Sequence, residues 1–139
     1  AVGLAQFERV KEIVQLRQDI ASLYDGVFNG TDFMPQKIRD GYSHSYFSYC
    51  VKSPYEDKQE WIDFYNFHER NGGDDFYAMM QPAYREPIMD KLGFKSEYNG
   101  SCPIGEKVQK VSMLFKTNYR TIDEAKLRID QLNDSISKY

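Results

Sequence analysis

The residue types best suited to acid–base or nucleophilic chemistry in this 139-residue chain are two histidines and two cysteines, and they form no known catalytic motif. His44 and His68 fall on different predicted elements; His68 lies late in a predicted helix among aromatic residues, where it either packs or acts chemically. Cys50 and Cys102 form neither a CxxC pair nor a Cys/His metal pattern. Reduced structural thiols are the expected interpretation, and a disulfide or a reactive thiol is the alternative. HExxH, the P-loop, GxGxxG and GxSxG do not occur, so an enzyme complete within these residues would have no visible catalytic set.

Tyrosines are the other chemically informative group, since the chain has 11 of them and 15% aromatic residues overall. A buried tyrosine needs a partner for its hydroxyl, so tyrosines favour half-buried sites, interfaces and sugar-binding walls. Packing in the core or at a domain interface is one interpretation, and a carbohydrate-facing wall is the other. The central members of this group are Tyr42, Tyr46, Tyr49, Tyr55, Tyr65, Tyr77 and Tyr84.

Charge and hydropathy exclude two classes of partner. The net charge is −3 and the 18 basic residues are scattered, unlike the clustered basic surface of a nucleic-acid binder. The apolar runs fall far short of the ~20 residues needed to span a bilayer, and we expect no signal peptide. With 41% hydrophobic and 28% charged residues, the chain has the composition of one globular domain, which we expect to be cytoplasmic.

The spacing of apolar residues predicts two of the main helices. Residues 1–28 carry apolar side chains three, four and seven positions apart, which indicates one long helix ended by Asn29-Gly30. Asp57 can cap a second helix that runs to about Arg70. The segment Asn71-Gly72-Gly73 then either ends this helix or lets the backbone approach a ligand.

Short strands and short helices are expected in the rest of the chain. The aromatic residues 45–51 predict a strand, residues 111–115 predict another, and a short strand or irregular segment is expected near residues 76–80. Pro87 and Pro103 each open a brief helix, the first ending before Gly93 and the second at Lys110. Helices flanking a few short strands indicate an α+β fold.

The last helix begins with a capping box, in which Thr121 is the cap and Glu124 follows three residues later. The apolar spacing that follows predicts which face of this helix is buried. That face would comprise Ala125, Leu127 or the stem of Arg128, Ile129, Leu132 and Ile136.

An ordered set of segments resembles the DegT/DnrJ/EryC1/StrS aminotransferase family along nearly the whole chain. Residues 1–10, continued by Arg17-Gln18-Asp19-Ile20-Ala21 and Tyr24-Asp25, are similar to the helix that joins the large and small domains in that family. Residues 44–51 resemble the family's small-domain strand, and residues 72–87 resemble a loop of nucleotide-sugar aminotransferases. The segment Cys102-Pro103-Ile104-Gly105-Glu106-Lys107 resembles the family's CP-x-A-E element, and the last strand and helix follow in the family's order.

The resemblance implies the C-terminal small domain of a fold-type I enzyme, with a long N-terminal helix and a small, mostly antiparallel sheet. Such a domain closes over pyridoxal phosphate (PLP) and a nucleotide-linked keto-sugar. The Schiff-base lysine, the acid beside the pyridinium nitrogen and the phosphate cup belong to the family's large domain, which would precede Ala1. No lysine of this chain matches the family's catalytic lysine motif, so we expect neither bound PLP nor transamination from this chain alone.

The resemblance also implies three substrate-binding residues, His44 and Tyr46 at the start of the small-domain strand and Tyr84 on a neighbouring loop. The alternative for each is that its side chain only packs. Two departures from the family pattern lie nearby. Phe47 stands at a strand position where many members have histidine, and the loop before Tyr84 lacks the histidine of the common P-L-H element.

The chain starts inside an amphipathic pattern without an initiator methionine, so we expect a break within a longer polypeptide. On this interpretation residues 1–139 form one small domain of a homodimeric aminotransferase or a close dehydratase relative, and residues 1–28 form the interdomain helix. A stand-alone binding or interaction module without catalytic activity is the alternative from a different class.

Overall fold

The computed structural model describes residues 2–94 and 100–139, and it has the α+β architecture that the sequence predicts. Four short strands form one antiparallel sheet in the order β1-β2-β4-β3. The strands are β1 (Met34–Pro35), β2 (Tyr49–Lys52), β3 (Tyr77–Ala78) and β4 (Ser112–Phe115). The helices are α1 (Val2–Glu8), α2 (Val10–Phe28), α3 (Lys58–Arg70), α4 (Pro87–Lys91), α5 (Pro103–Gln109) and α6 (Ile122–Lys138), with a 3₁₀ turn at Ala83–Arg85.

The predicted helix over residues 1–28 is two helices, separated at Arg9. Arg9 has φ −103° and ψ 8°, and its N–H donates to Gln6 O in a tighter, three-residue turn. The ordinary α-helical pattern resumes when Ile13 N donates to Arg9 O. The predicted end is correct, because α2 stops at Phe28 and Gly30 takes the left-handed conformation at φ 78°.

The core lies between the sheet and the three long helices and consists largely of aromatic rings. Tyr24 and Phe28 from α2 pack against Tyr49 and Phe115 from the sheet, with ring centroids 4.9–5.9 Å apart. The Tyr24 hydroxyl reaches Lys116 O at 3.0 Å, so its polar end is satisfied although its ring is buried. Packing is therefore the correct interpretation for Tyr24 and Tyr49.

Two side-chain caps fix the starts of α3 and α6 as predicted. Asp57 accepts hydrogen bonds from the backbone N–H groups of Gln59 and Glu60. Thr121 accepts from Glu124 N, while the Glu124 carboxylate returns to Arg120 N rather than to the cap residue itself. In a regular capping box the Glu124 carboxylate would accept from the N–H of Thr121, whereas here it accepts from the N–H of the preceding residue, Arg120. Each of the two caps stabilises the domain by about 1 kcal/mol.

Two further sequence predictions need correction. The strand expected over residues 45–51 begins only at Tyr49, because Tyr46 has φ 46° and turns the chain before the sheet. On α6, Arg128 is half-buried as one of the two alternatives predicted, whereas Leu127 is 59% exposed. The buried face of α6 is Ala125, Ile129, Leu132 and Ser135, and Ile136 is half-buried.

His68 packs inside the domain, which was one of the two interpretations of this residue; the other was a chemical role. Its side chain is 3% exposed, and Nδ1 lies 2.8 Å from Ser135 Oγ on α6. Gly73 lies directly against this ring, because a Cβ built at Gly73 would be 2.2 Å from His68 Cε1 and Nε2. The Gly72-Gly73 pair therefore ends α3, with Gly72 at φ 79°, and makes room for the histidine.

Every helix within residues 2–94 and 100–139 is too short or too polar to cross a membrane. Those same residues contain no group of three or more His, Cys, Asp and Glu side chains placed to hold a metal ion.

Candidate functional site

The segment His44–Phe47, here called the 44–47 turn, has the most unusual backbone among the described residues. Tyr46 is the non-glycine residue of that set with a positive φ, at 46°. L residues reach this region only at a cost in free energy, so the surrounding structure must hold them there. Such outliers cluster at functional sites, which makes the 44–47 turn a candidate.

Helix α2 and the segment after β4 hold the 44–47 turn through its carbonyl groups. Gln18 Nε2 donates to His44 O at 3.0 Å, and Arg17 Nη1 lies 3.4 Å from Tyr46 O and 3.3 Å from Phe47 O. Thr117, which is 1% exposed, donates from Oγ1 to Tyr46 O at 2.5 Å. The strained residue therefore has its carbonyl fixed from two separate elements.

The side chain of His44 is fixed by the same turn. The Tyr46 N–H donates to His44 Nδ1 at 3.0 Å, and the two rings meet edge to face with centroids 4.5 Å apart. A nitrogen that accepts a hydrogen bond carries no proton, so the neutral imidazole here has its proton on Nε2. His44 Nε2 is thus an N–H donor without a partner among the described residues.

A small cavity behind the 44–47 turn is too narrow for a sugar. It has a volume of about 10 Å³ and is lined by Asp25, Gln36, Ile38, His44, Tyr46, Tyr49 and Cys50. This is room for about one water molecule. Tyr49 OH donates to Asp25 Oδ1 at 2.5 Å, and burial followed by that hydrogen bond raises the pKa of Tyr49. A ligand larger than water would have to contact the outer surface of the turn.

A much larger groove runs between the α1–α2 junction and the loop after β4, and we call it the arginine-lined groove. Its volume of about 460 Å³ lies within the usual range of ligand pockets. It is lined by Gln6, Arg9, Ile13, Leu16, Arg17, Thr117, Asn118, Tyr119 and Arg120. The sequence did not predict this groove because Arg120 lies more than 100 residues from Arg9 and Arg17, and the local signal was the polar face of the first helix.

Tyr84 belongs to a different group of contacts. Its hydroxyl donates to Glu106 Oε1 at 2.5 Å, and Arg85 forms a salt bridge with the other oxygen of the same carboxylate. Gly100 N also donates to Glu106 Oε1, at 2.9 Å. Desolvation and the bond to Glu106 raise the pKa of Tyr84 to about 12, while the hydrogen bond from Tyr84 leads the causes that lower the pKa of Glu106. Tyr84 is therefore a protonated donor at neutral pH.

The structure brings His44 and Tyr46 together but places Tyr84 elsewhere. His44 and Tyr46 lie near the residues that follow β1, at one edge of the sheet. Tyr84 follows β3, which forms the opposite edge. The sequence alone did not separate these two positions.

Helix α1 presents apolar side chains that no other part of residues 2–94 and 100–139 covers. Val2 is 79% exposed, Leu4 65%, Phe7 72% and the neighbouring Val10 41%. No residue of α1 is buried. Contiguous apolar surface of this kind usually marks an interface.

The fold and these surfaces define an α+β domain in which a small antiparallel sheet, covered by long helices, leaves its first helix and an adjoining groove open. The chain belongs to the DegT/DnrJ/EryC1/StrS aminotransferase family, which it matches over residues 1–124. No curated relative matches the chain by sequence.

Three solved structures with the same fold are larger than this chain. The PLP form of a protein described as a sugar aminotransferase from Streptococcus pneumoniae superposes with a TM-score of 0.80 at 18% identity, covering 98% of this chain and 34% of that one. PseC from Helicobacter pylori, an aminotransferase of pseudoaminic acid biosynthesis, gives 0.77 at 14% identity, covering 99% and 36%. A 3-amino-5-hydroxybenzoic acid synthase gives 0.76 at 14% identity, covering 97% and 37%. The chain therefore spans about a third of the length of the structures it matches.

Proposed function

We propose that this chain is the small domain of a PLP-dependent aminotransferase acting on a nucleotide-linked keto-sugar, and that it is inactive alone. The observation that carries the proposal is the coverage: nearly all of this chain corresponds to about a third of each relative. Membership of the family supports transamination as the reaction of the intact enzyme. The names of two of the matched proteins support a sugar as its substrate.

The environment of Lys116 does not suit a Schiff base with PLP. A Schiff-base lysine reacts as a neutral amine and is favoured by a lowered pKa. Lys116 is a partly buried lysine, but its Nζ donates to Asp74 Oδ1 at 2.9 Å. Desolvation alone would lower the pKa of Lys116, yet the hydrogen bond and charge of Asp74 outweigh it and the pKa is raised. Lys116 is therefore a charged partner of Asp74.

The 44–47 turn is the proposed sugar-facing element of the domain. His44 Nε2–H is an unused donor, the Tyr46 ring packs beside it, and the Phe47 ring is 84% exposed. Donors combined with exposed aromatic rings suit a sugar, which offers both hydroxyl oxygens and apolar ring faces. Tyr84 is a second proposed contact, and its bond to Glu106 would orient the hydroxyl.

Helix α1 is the proposed surface for the PLP-binding domain of the same polypeptide, with residues 1–28 joining the two domains. Covering its exposed apolar side chains would yield roughly 25 cal/mol per Å², enough to dock one domain on another. We also propose that the intact enzyme is a homodimer. The two free cysteines support a cytoplasmic location, because disulfides are rare there.

Two experiments test the proposal. The first is to read the coding sequence upstream of Ala1: an upstream domain with a PLP lysine supports it, and a reading frame that starts at Ala1 favours a stand-alone binding module. The second is to incubate the 139-residue chain with PLP, reduce with borohydride and map lysine adducts by mass spectrometry. Scattered, substoichiometric labelling is expected, and one stoichiometric adduct at a single lysine would contradict the assignment.

In the longer enzyme, His44→Ala and Tyr84→Phe test the sugar-facing assignment separately. Each substitution is expected to lower turnover while leaving the melting temperature nearly unchanged. A parallel loss of stability and activity would favour packing as the role of that residue. Asn133→Ala is a matched control, because Asn133 is exposed on α6 away from both groups of contacts.

A further inference from the structure

The strained conformation of Tyr46 is stabilised from outside the turn itself. At φ 46° the residue lies in the left-handed region, which an L side chain adopts only when neighbouring groups hold it there. Within the turn, a single hydrogen bond joins Tyr46 N to the side chain of His44. The other polar contacts of the turn come from residues that are distant in the sequence.

Gln18 binds His44 O, and Thr117 and Arg17 both act on the carbonyl of Tyr46. Thr117 Oγ1 lies 2.5 Å from Tyr46 O and 3.2 Å from Phe47 O, and its side chain is fully buried. Arg17 Nη1 reaches both carbonyl oxygens at 3.3–3.4 Å, and its guanidinium carbon lies 5.8 Å from the centre of the Phe47 ring. The Thr117 hydroxyl at short distance and the Arg17 guanidinium at longer distance therefore fix the peptide after Tyr46.

The position of this peptide decides which nitrogen of His44 carries the proton. Tyr46 N meets His44 Nδ1 while residue 46 stays beside the His44 ring, and the anchored carbonyls of Tyr46 and Phe47 keep it there. If residue 46 moved away from the ring, Nδ1 would lose its donor and either tautomer would become accessible. The two distant donors thus act on a ring that neither of them touches.

We propose that Arg17 and Thr117 are positioning residues that hold the 44–47 turn so that His44 presents Nε2–H as a fixed donor to a sugar oxygen. This inference rests on the proposed function of the turn. Neither Arg17 nor Thr117 contacts the substrate in this scheme; both act through the backbone of Tyr46.

Nuclear magnetic resonance of the histidine rings in the ¹⁵N-labelled 139-residue chain tests the structural half. His44→Gln identifies the His44 signals, since His68 is the only other histidine. The parent chain should show the Nε2–H tautomer of His44, and Thr117→Val or Arg17→Ala should shift both ring nitrogens toward the averaged values of mixed tautomers. Thr117→Ser keeps the hydroxyl and should retain the parent signals. Arg120→Ala, in the same groove but without contact to the turn, should also leave them unchanged.

Unchanged His44 signals in both Thr117→Val and Arg17→Ala would overturn the inference. If either variant fails to fold, Arg17→Lys serves in its place, because lysine keeps the charge but not the planar guanidinium fork. A partial shift of the His44 signals is then expected, and no shift again argues against a positioning role.

A double-mutant cycle in the longer enzyme tests the functional half. Arg17→Ala should lower kcat/KM about tenfold, within the range that misplacing a catalytic or binding group can cost. In the His44→Ala background the same substitution should have almost no further effect. If the losses of kcat/KM from the two substitutions are additive, Arg17 is not a positioning residue, although His44 can still face the sugar. Full activity of His44→Ala would refute that proposed role and, with it, the functional half of this inference.

Discussion

Substituting Gly73 by alanine is the sharpest test of how the domain is packed. A Cβ at this position would lie 2.2 Å from His68 Cε1 and Nε2 and 2.4 Å from Cδ2. Ordinary carbon contacts begin near ~3.5 Å, so the ring must move by about 1 Å. The ring is 3% exposed, lies between Phe64 and Phe76, and holds Ser135 Oγ at 2.8 Å.

The expected cost has two parts. Overpacking a filled core costs about 1–3 kcal/mol, and leaving the His68–Ser135 pair unsatisfied costs about 1–3 kcal/mol more. We therefore expect Gly73→Ala to lower the free energy of unfolding by about 2–6 kcal/mol. Urea denaturation followed by far-UV circular dichroism measures this difference.

Two matched glycine substitutions and one double variant separate the clash from other effects. Gly26 lies inside α2 with nothing within 4 Å of its built Cβ, so Gly26→Ala should stabilise the domain by up to about 1 kcal/mol. Gly72→Ala also meets no atom, but its φ of 79° costs an alanine about 1–2 kcal/mol. In a His68→Ala background the clash is gone, and Gly73→Ala should become nearly neutral. A single Gly73→Ala within about 0.5 kcal/mol of the parent chain would refute this account of the packing.

Three further predictions concern pH, capping and association. Burial lowers the pKa of His68 from its ordinary 6.5, so the unfolded chain binds the proton more tightly than the folded chain does. The free energy of unfolding should therefore fall as the pH drops below 6.5. His68→Gln should reduce this dependence of the unfolding free energy on pH between pH 7 and 5. Thr121→Ala should cost about 1 kcal/mol of unfolding free energy because it removes the α6 cap, whereas Thr121→Ser should cost little. At micromolar concentration the 139-residue chain should sediment as a dimer through α1, and as a monomer when Val2, Phe7 and Val10 are made polar; a monomeric parent chain would contradict the interface assignment.

Local sequence signals were sufficient for most of the helices. A cap depends on residues two or three positions apart, so Asp57 and Thr121 could be recognised directly in the sequence. Pro87 and Pro103 each stand in the first turn of a short helix, where their fixed φ is favourable. Gly30 ends α2 for the reason that only glycine adopts its φ of 78° without strain. Interactions within one turn of chain explain all of these positions.

The 44–47 turn could not be predicted in the same way, because its conformation depends on distant residues. Its aromatic composition favours a strand, and residues 45–48 would extend β2 on local preference alone. Contacts from Arg17, Gln18 and Thr117, which lie 26 to 71 residues away along the chain, override that preference. Tyr84 is a similar case, since its partner Glu106 lies 22 residues further on.

Thr117 and Arg17 both hold the 44–47 turn, but the distances of their hydrogen bonds show that Thr117 holds it more strongly. A hydroxyl donor at 2.5 Å is at the short end of O–H···O bonds, whereas 3.3–3.4 Å is beyond the usual N–H···O range. Thr117 is also fully buried, while Arg17 is half-buried and lines an open groove that water can enter. Water that enters the groove can replace the contacts of Arg17, whereas loss of the buried Thr117 hydroxyl removes the shorter of the two bonds to Tyr46 O. Thr117→Val should therefore loosen the turn more than Arg17→Ala does, and the shift of the His44 ring signals is the measurement that orders them.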